Sequence, residues 1–199
     1  MFKIVVARYN ENINWCKEFE NDVIIYNKGN KLDINNEILL ENVGREGHSY
    51  YKYIYDNYDN LSEYTIFLQG NPFDHSPNII SNIKNFINNS NLNINFDFLS
   101  EELLHCNING CRFKICELKN IYKLLFDCDV DDENFVFGAG AQFIVSKKCI
   151  LKKSKDFYIK IVKLLEYCND PIEGHAIERF HCLILNDGNY SNMLNLNVY

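Results

Sequence analysis

FKIVVARYNENINWCKEFENDVIIYNKG, residues Phe2–Gly29, sets two apolar runs around one short amphipathic segment. Phe2–Ala7 is β-branched and apolar throughout, the composition of a strand buried on both faces of a parallel sheet. Ile13–Glu20 follows as a short helix with Asn12 or Asn14 as its cap. Val23–Tyr26 is a second strand, closed by the turn residues Asn27-Lys28-Gly29. Strand, helix and strand within so few residues make a βαβ unit, expected to cross over right-handed.

The rest of the chain extends this alternation. Asn30–Asn42 reads as a loop with room for one short strand. A helix runs from about Gly47 to Tyr58, and Tyr64–Leu68 is a third strand that enters Gln69-Gly70-Asn71-Pro72-Phe73-Asp74-His75. Ile79, Ile80, Ile83, Phe86 and Ile87 recur at helical spacing. Asn89–Asp132 is the least regular third, with a short strand at Ile94–Leu99 and a helix at Asn120–Phe126. Phe135–Ser146 returns to β character, with Gly138 and Gly140 leading into Ala141–Val145. Two helices, Asp156–Tyr167 and roughly Gly174–Leu185, flank Pro171. The tail Asn192–Tyr199 is read as either a strand or disordered. No repeat or linker divides the chain. The expectation is one domain over residues 1–199, an α/β fold whose mixed, mainly parallel sheet is flanked by helices.

Composition narrows the function. The chain has 199 residues, 47% hydrophobic and 14% aromatic, enough for a core. Its net charge of −7 argues against general nucleic-acid binding, which wants a basic face. No stretch approaches the roughly 20 apolar residues of a membrane span, and no signal peptide is read at the start. The eight cysteines form no C-x-x-C pair, and Cys106, Cys111 and Cys116 are too widely spaced for common zinc sites. They are read as reduced thiols, and the location as cytoplasmic: the host cytoplasm or the virion, if the source is viral. The acidic run Asp127–Glu133 reads as a solvated loop, because it lacks the glycine turn and terminal glutamate of a calcium loop.

Polar clusters at strand ends and helix starts carry the chemistry. They are Arg8–Glu11, Asn42–His48, Gln69–His75 and Glu173–Arg179. Ligands of open α/β sheets bind beyond the carboxyl ends of the strands. Asn42–Tyr55 combines Gly44, Gly47, Arg45, Glu46 and His48 at a helix start, whose free N–H groups and positive dipole end favour phosphate or carboxylate. Asp74 and His75 share a loop braced by Pro72 and Pro77. They suit a divalent ion, or Asp74 simply caps the next helix. On the last helix, Glu178 is a candidate general base with Arg179 orienting it or holding a phosphate; the alternative is an exposed Glu and Arg. His181 is read as a satisfied, semi-buried histidine.

VVARYNENINW, VIIYNKG, NVGREGHSYYKYI, TIFLQGNPFDH, GAQFIVSKKCI and HAIERF, in this order, resemble a family of uncharacterised domains seen in giant viruses, fungi, plants and bacteria. The resemblance spans about Ile4–Ile184. More distantly, the chain is similar to GT-A nucleotide-sugar glycosyltransferases, which is where a GT-A-like, Rossmann-like sheet comes from. In those enzymes a Y-N-E segment ends the first strand, as Tyr9-Asn10-Glu11 does. An N-x-G-R segment opens a helix, as Asn42–Arg45 does, and an acid-arginine pair on a late helix matches Glu178-Arg179.

That resemblance implies a nucleotide-sugar donor and a glycan or other hydroxyl acceptor. Arg8, Tyr9, Asn10, Glu11, Asn42, Gly44, Arg45, His48, Gln69 and Arg179 would bind nucleotide or phosphate. Asp74 and His75 would hold Mn²⁺ or Mg²⁺, with Asp74 and Glu178 catalytic. The chain departs from the pattern at one point: Gln69–His75 stands where those enzymes carry D-x-D. Two other readings are a metal-dependent hydrolase using His48, Asp74, His75 and His175, and a non-catalytic carbohydrate- or partner-binding domain on a degenerate transferase fold, with Tyr50, Tyr51, Tyr53, Tyr55 and Tyr58 as its sugar-stacking surface.

Overall fold

Residues 2–89, 93–110 and 118–190 are described by the structure, a computed structural model. Strand β1 (Phe2–Arg8) lies at the centre of a six-stranded sheet. It pairs in parallel with β2 (Val23–Asn27) on one side and with β4 (Tyr64–Gln69) on the other. Strand β3 (Glu37–Leu39) adds to β2, again parallel. Strand β8 (Phe143–Ser146) runs antiparallel to β4, and β5 (Phe96–Phe98) completes the order β3-β2-β1-β4-β8-β5. A second sheet pairs β6 (Leu103–Asn107) with β7 (Asn134–Gly138).

The alternation of side chains across each strand builds two cores. Ile4 and Val6 of β1, Val23 and Ile25 of β2, and Ile66 and Leu68 of β4 all point to one face. There they meet Ile79, Ile83 and Phe86 of helix α2 (Ile79–Asn88). Val5, Tyr26, Phe67, Phe143 and Phe96 point to the other face. That face is covered by α1 (Arg45–Asp56), α5 (Lys155–Leu165) and α6 (Ile172–Asn186), with α3 (Leu118–Phe126) beside them. A single turn, α4 (Lys147–Ile150), links β8 to α5, and Ser146 and Ser154 cap the starts of α4 and α5. The result is a single α/β unit with a mixed, mostly parallel sheet between helices.

Several elements differ from expectation. Asn14–Phe19 between β1 and β2 is a 3₁₀ helix rather than an α-helix. The segment is too short for stable α-helical turns, and Trp15 is drawn across the sheet end, donating from Nε1 to the Gly70 carbonyl at 3.0 Å. Helix α1 begins at Arg45, two residues before the expected Gly47, because Gly44 turns the chain in the left-handed region (φ 64°). Strand β6 is an addition in the irregular third. The tail at 192–199 lies outside the described residues.

Three of the five tyrosines read as a stacking surface are core: Tyr50, Tyr51 and Tyr53 are buried, Tyr50 tilted over Phe67 and Tyr51 stacked on Tyr158, whereas Tyr55 and Tyr58 are half-buried. His181 is fully buried, its Nδ1 sharing a hydrogen bond of 2.9 Å with the Tyr51 hydroxyl. Cys16, Cys128, Cys149, Cys168 and Cys182 are free thiols, whereas Cys106 is disulfide-bonded, which corrects the all-reduced reading at that position. Cys111 and Cys116 lie outside the described residues. Among the described residues, no helix is long and apolar enough to cross a membrane.

Candidate functional site

Strand order changes direction between β1 and β4: the chain builds towards β2 and β3 on one side and towards β8 and β5 on the other. In open α/β sheets the connections leaving such a switch point part and leave a crevice at the carboxyl ends of the strands. A cleft of about 480 Å³ lies there, within the usual range for small-molecule sites. It is lined by Ala7, Arg8, Tyr9 and Glu11 after β1 and by Lys28 after β2. Asn42, Arg45, Glu46 and Ser49 come from the start of α1, Gln69, Asn71 and Asp74 from the end of β4, and Asn169 from the loop before α6. A larger groove of about 720 Å³ runs between the 3₁₀ helix and the β2–β3 loop. Its walls alternate residues such as Ile13, Cys16 and Ile34 with Lys17, Glu20 and Asp33, without converging functional groups, so the smaller cleft is the candidate site.

The floor after β1 is braced by Arg8. Its guanidinium donates to the carbonyls of Tyr9 (3.1 Å), Glu11 (3.0 Å) and Asn30 (3.0 Å) and to Asn27 Oδ1 (2.8 Å). Its donors are therefore largely committed to holding two loops together. Glu11 folds back so that Oε2 accepts from the Tyr9 backbone N–H at 2.7 Å. Gly70 makes this possible: a Cβ there would come within 2.6 Å of Glu11 Oε2. Tyr9 is 52% exposed at the mouth. Asn10 lies outside the lining, its Oδ1 accepting from the Asn30 backbone at 2.9 Å.

The α1 wall is held by an unusual turn. Gly44 and Arg45 both sit in the left-handed region (φ 64° and 51°). For arginine this costs on the order of 1 kcal/mol. Four hydrogen bonds hold it there. The backbone N–H groups of Gly44 and Arg45 donate to the carbonyls of Cys168 (2.8 Å) and Asn169 (3.3 Å). The Lys28 ammonium donates to the carbonyls of Val43 and Arg45. Burial lowers the Lys28 ammonium to about 8, opposed by the nearby Glu46 carboxylate.

Arg45 reaches across to α6. Its Nη1 lies 3.0 Å from His175 Nδ1 and 3.4 Å from Asp170 Oδ1, and Asp170 in turn lies 3.2 Å from His175 Nε2. Burial, and then the Arg45 charge, lower the His175 pKa, so the neutral ring accepts from the guanidinium. Glu178, one turn further along α6, is half-buried, and the charges of Arg45 and Glu46 bear on its carboxyl. Burial raises its carboxyl to about 7, with the Glu46 charge adding to the rise. Arg45, Arg179 and a hydrogen bond from the Gly140 backbone oppose it. A carboxyl poised near neutrality is suited to exchanging a proton with a ligand.

Arg179 points elsewhere. It is 4% exposed, lies over the Phe137 ring at 5.1 Å, and donates to the His175 carbonyl. His48 is also buried, facing away from the cleft lining. Burial and the charges of Lys28 and Lys52 lower it to about 4, so the ring is neutral rather than an anion-binding cation. Asp74 is exposed on the β4 loop, with Oδ2 accepting from Asn71 Nδ2 at 3.1 Å. His75 packs on Gly140, where a Cβ would approach its ring to 2.5 Å. The Asp74-His75 loop thus abuts the residue whose N–H meets Glu178. Gln142 Nε2 holds the loop from beneath, donating to the Pro72 carbonyl at 3.0 Å.

Among the described residues, no group of three or more His, Cys, Asp or Glu side chains could hold a metal ion. Asp74 is compatible with an ion delivered along with a diphosphate, since Mg²⁺ is commonly bound through one or two carboxylates plus phosphate and water. His48, Asp74, His75 and His175 form no metal cluster.

Arg8, Tyr9, Glu11, Asn42, Arg45, Gln69 and Asp74 therefore share one cleft, with Gly44 shaping the turn of its α1 wall and Asn10, His48, His75, Glu178 and Arg179 outside its lining. Lys28, Ser49 and Asn169 were not singled out from sequence. Lys28 looked like part of a turn, and the position of Ser49 on the Arg45-Glu46 face, four residues after Arg45, was the one available signal. Comparison with curated proteins and with solved structures gave no match. A family model does match, over residues 4–193, nearly the whole length: the chain belongs to the family described as Protein of unknown function (DUF3431).

Proposed function

We propose that this chain is a nucleotide-sugar glycosyltransferase, with the cleft at the β1/β4 switch point as its donor site. The observation that carries the reading is the meeting of Arg45, Asp74 and the β1 end in one cleft, with the Glu178 carboxyl outside the lining but within electrostatic reach of Arg45 and Glu46. A Rossmann-like sheet is compatible with nucleotide binding without being diagnostic of it, so the weight rests on these groups.

In this reading Tyr9, at the mouth, flanks the base, and Glu11 and Gln69 meet the ribose and diphosphate. Arg45 offsets the charge that builds on the leaving diphosphate, using a guanidinium already oriented by His175 and Asp170. Glu178 takes the proton of the acceptor hydroxyl. The acceptor oxygen then bonds to the anomeric carbon as the bond to the diphosphate breaks, inverting that centre. A divalent ion, Mn²⁺ or Mg²⁺, carried on the diphosphate and touching Asp74, would add Lewis-acid stabilisation of the leaving group.

The test is a thermal-shift panel of nucleoside diphosphates and nucleotide-sugars, with and without Mn²⁺. A shift with at least one nucleotide is expected, and the metal-dependent part of it should disappear in Asp74→Ala. No shift with any member of the panel would sink the proposal. The non-catalytic alternative loses its main support because Tyr50, Tyr51 and Tyr53 are in the core. It would return if a glycan bound and no nucleotide did.

A further inference from the structure

We propose that Ser49, with Lys28 beside it, forms a phosphate subsite in the cleft wall, with the Ser49 hydroxyl donating to a phosphoryl oxygen. This deepens the donor-site reading above and rests on it for the identity of the ligand as a diphosphate. Ser49 is fully buried, lines the cleft, and its Oγ has no hydrogen-bond partner. A buried hydroxyl without a partner costs roughly 1–3 kcal/mol, so an isolated serine is a poor choice at this position unless something occupies the cleft. Alanine would fit the same helix face and favour the helix more. Other buried polar atoms of α1 without partners, His48 Nδ1 and the Tyr50 hydroxyl, belong to residues that do not line the cleft.

The surroundings of Ser49 select an anion. Arg45, Glu46 and Ser49 lie on one face of α1, a helix of 12 residues, and bring its positive end to the cleft. Lys28 uses two of its three ammonium N–H groups on the carbonyls of Val43 and Arg45. The third has no partner among the described residues, and Lys28 lines the same cleft. Arg45 is already matched by Glu46, directed at its Nε from 3.7 Å, and by Asp170, 3.4 Å from its Nη1. Lys28 and the Ser49 hydroxyl are therefore the donors on this wall with capacity left for a ligand. A hydroxyl donor, an ammonium donor and a helix start together match phosphoryl oxygens better than a neutral sugar, which would need acceptors as well.

Titration calorimetry with inorganic pyrophosphate tests this, with uridine diphosphate and guanosine diphosphate as parallel probes. Wild type is expected to bind pyrophosphate, and Ser49→Ala to bind it about tenfold more weakly or worse, the loss typical of one hydrogen bond to a charged group. The ligand-free melting temperature of Ser49→Ala should match or exceed that of wild type, because an unpartnered hydroxyl is removed. Ser49→Cys, nearly the same shape with a weak donor, should fall between. Equal pyrophosphate binding by wild type and Ser49→Ala overturns the subsite, as does no pyrophosphate binding at all. If nucleoside diphosphates bind while pyrophosphate does not, the subsite fails and the donor-site reading stands. Ser49-dependent pyrophosphate binding without any nucleotide binding supports the subsite and sinks the transferase reading.

Discussion

Arg45-Glu46 on α1 and Glu178-Arg179 on α6 are the same two residue types in opposite order, and the fold uses them in opposite ways. In the first pair the arginine faces the cleft, its side chain 31% exposed and tied to Asp170 and His175. In the second pair the arginine is the structural member, sunk against Phe137, while the glutamate meets the Gly140 backbone N–H and feels the charges of Glu46 and Arg45. Position in the helix decides this. Arg45 is the first residue of α1, where side chains spread from the end of the cylinder. Arg179 lies in the middle of a helix that is buried along most of its length, so its stem packs and its head must find partners inside. Equal composition therefore does not mean equal function, and each pair should fail differently when broken.

The largest effect is expected at Glu178. Glu178→Gln should lower transferase turnover by roughly 10²–10⁴, the usual contribution of a general base, with nucleotide affinity retained; turnover within twofold of wild type would remove Glu178 from the chemistry. Next comes Arg179→Ala, which should cost about 3 kcal/mol of stability through lost packing and buried bonding, measured by urea denaturation. A loss below about 1 kcal/mol would put Arg179 in the class of surface charges instead. Arg45→Ala should reverse that profile. Stability should change by less than about 1 kcal/mol, while nucleoside diphosphate binding weakens about tenfold, or about 1.4 kcal/mol.

A pH series sharpens the contrast further. The folded carboxyl of Glu178 titrates above its ordinary value, so between about 4.5 and 7 the folded state holds the proton that the unfolded state has lost. Its contribution to stability is therefore greatest at low pH and declines as pH rises through that window. His48 and His181 act in the other direction. Burial lowers both, to about 4 and about 3, so their contribution is present above 6.5 and declines as pH falls. Subtracting the stability of Glu178→Gln from that of wild type at each pH cancels the histidines. The difference should turn against wild type between pH 5 and 8; a flat difference would mean that Glu178 titrates normally. The smallest effect is expected at Lys52, whose pairing with Asp56 is a half-exposed i,i+4 contact on the outer face of α1. Lys52→Ala should move stability by no more than about 0.5 kcal/mol.

Much of this architecture could be read from the sequence. The apolar runs at Phe2–Ala7, Val23–Tyr26 and Tyr64–Leu68 have one stable use, as adjacent parallel strands, and they hold those places. The polar clusters that follow them had to lie at one end of the sheet, which is why Arg8, Tyr9, Glu11, Gln69 and Asp74 meet. The less legible parts depend on contacts far apart in the chain. Strand β6 has a short sequence without clear alternation and exists because β7 pairs with it from some thirty residues on. His48 sits beside Ser49 in sequence, but a one-residue step along α1 is a turn of about 100°, enough to carry it off the cleft face. Lys28 carries no local signature beyond a turn, and Ser49 only its place four residues after Arg45. Their meaning comes from the carbonyls and the empty space that the fold sets in front of them.

Gly44 has one more consequence, for how this chain tolerates change in length. A Cβ at that position would meet the Leu165 carbonyl at 2.7 Å, and the Gly44 and Arg45 N–H groups end on Cys168 and Asn169. Most of the segment 166–170 is exposed, the kind of surface loop that ordinarily absorbs insertions without harm. Here it is a fixed-length spacer: α5 must end, and Asp170 must fall, at a set distance from the start of α1. One residue added between Glu166 and Asn169 would leave both cores intact and still shift Asn169 off its backbone bond. Such a chain should melt close to the parent while failing to hold Arg45 in place, so its defect would be missed by any screen that asks only whether the protein folds.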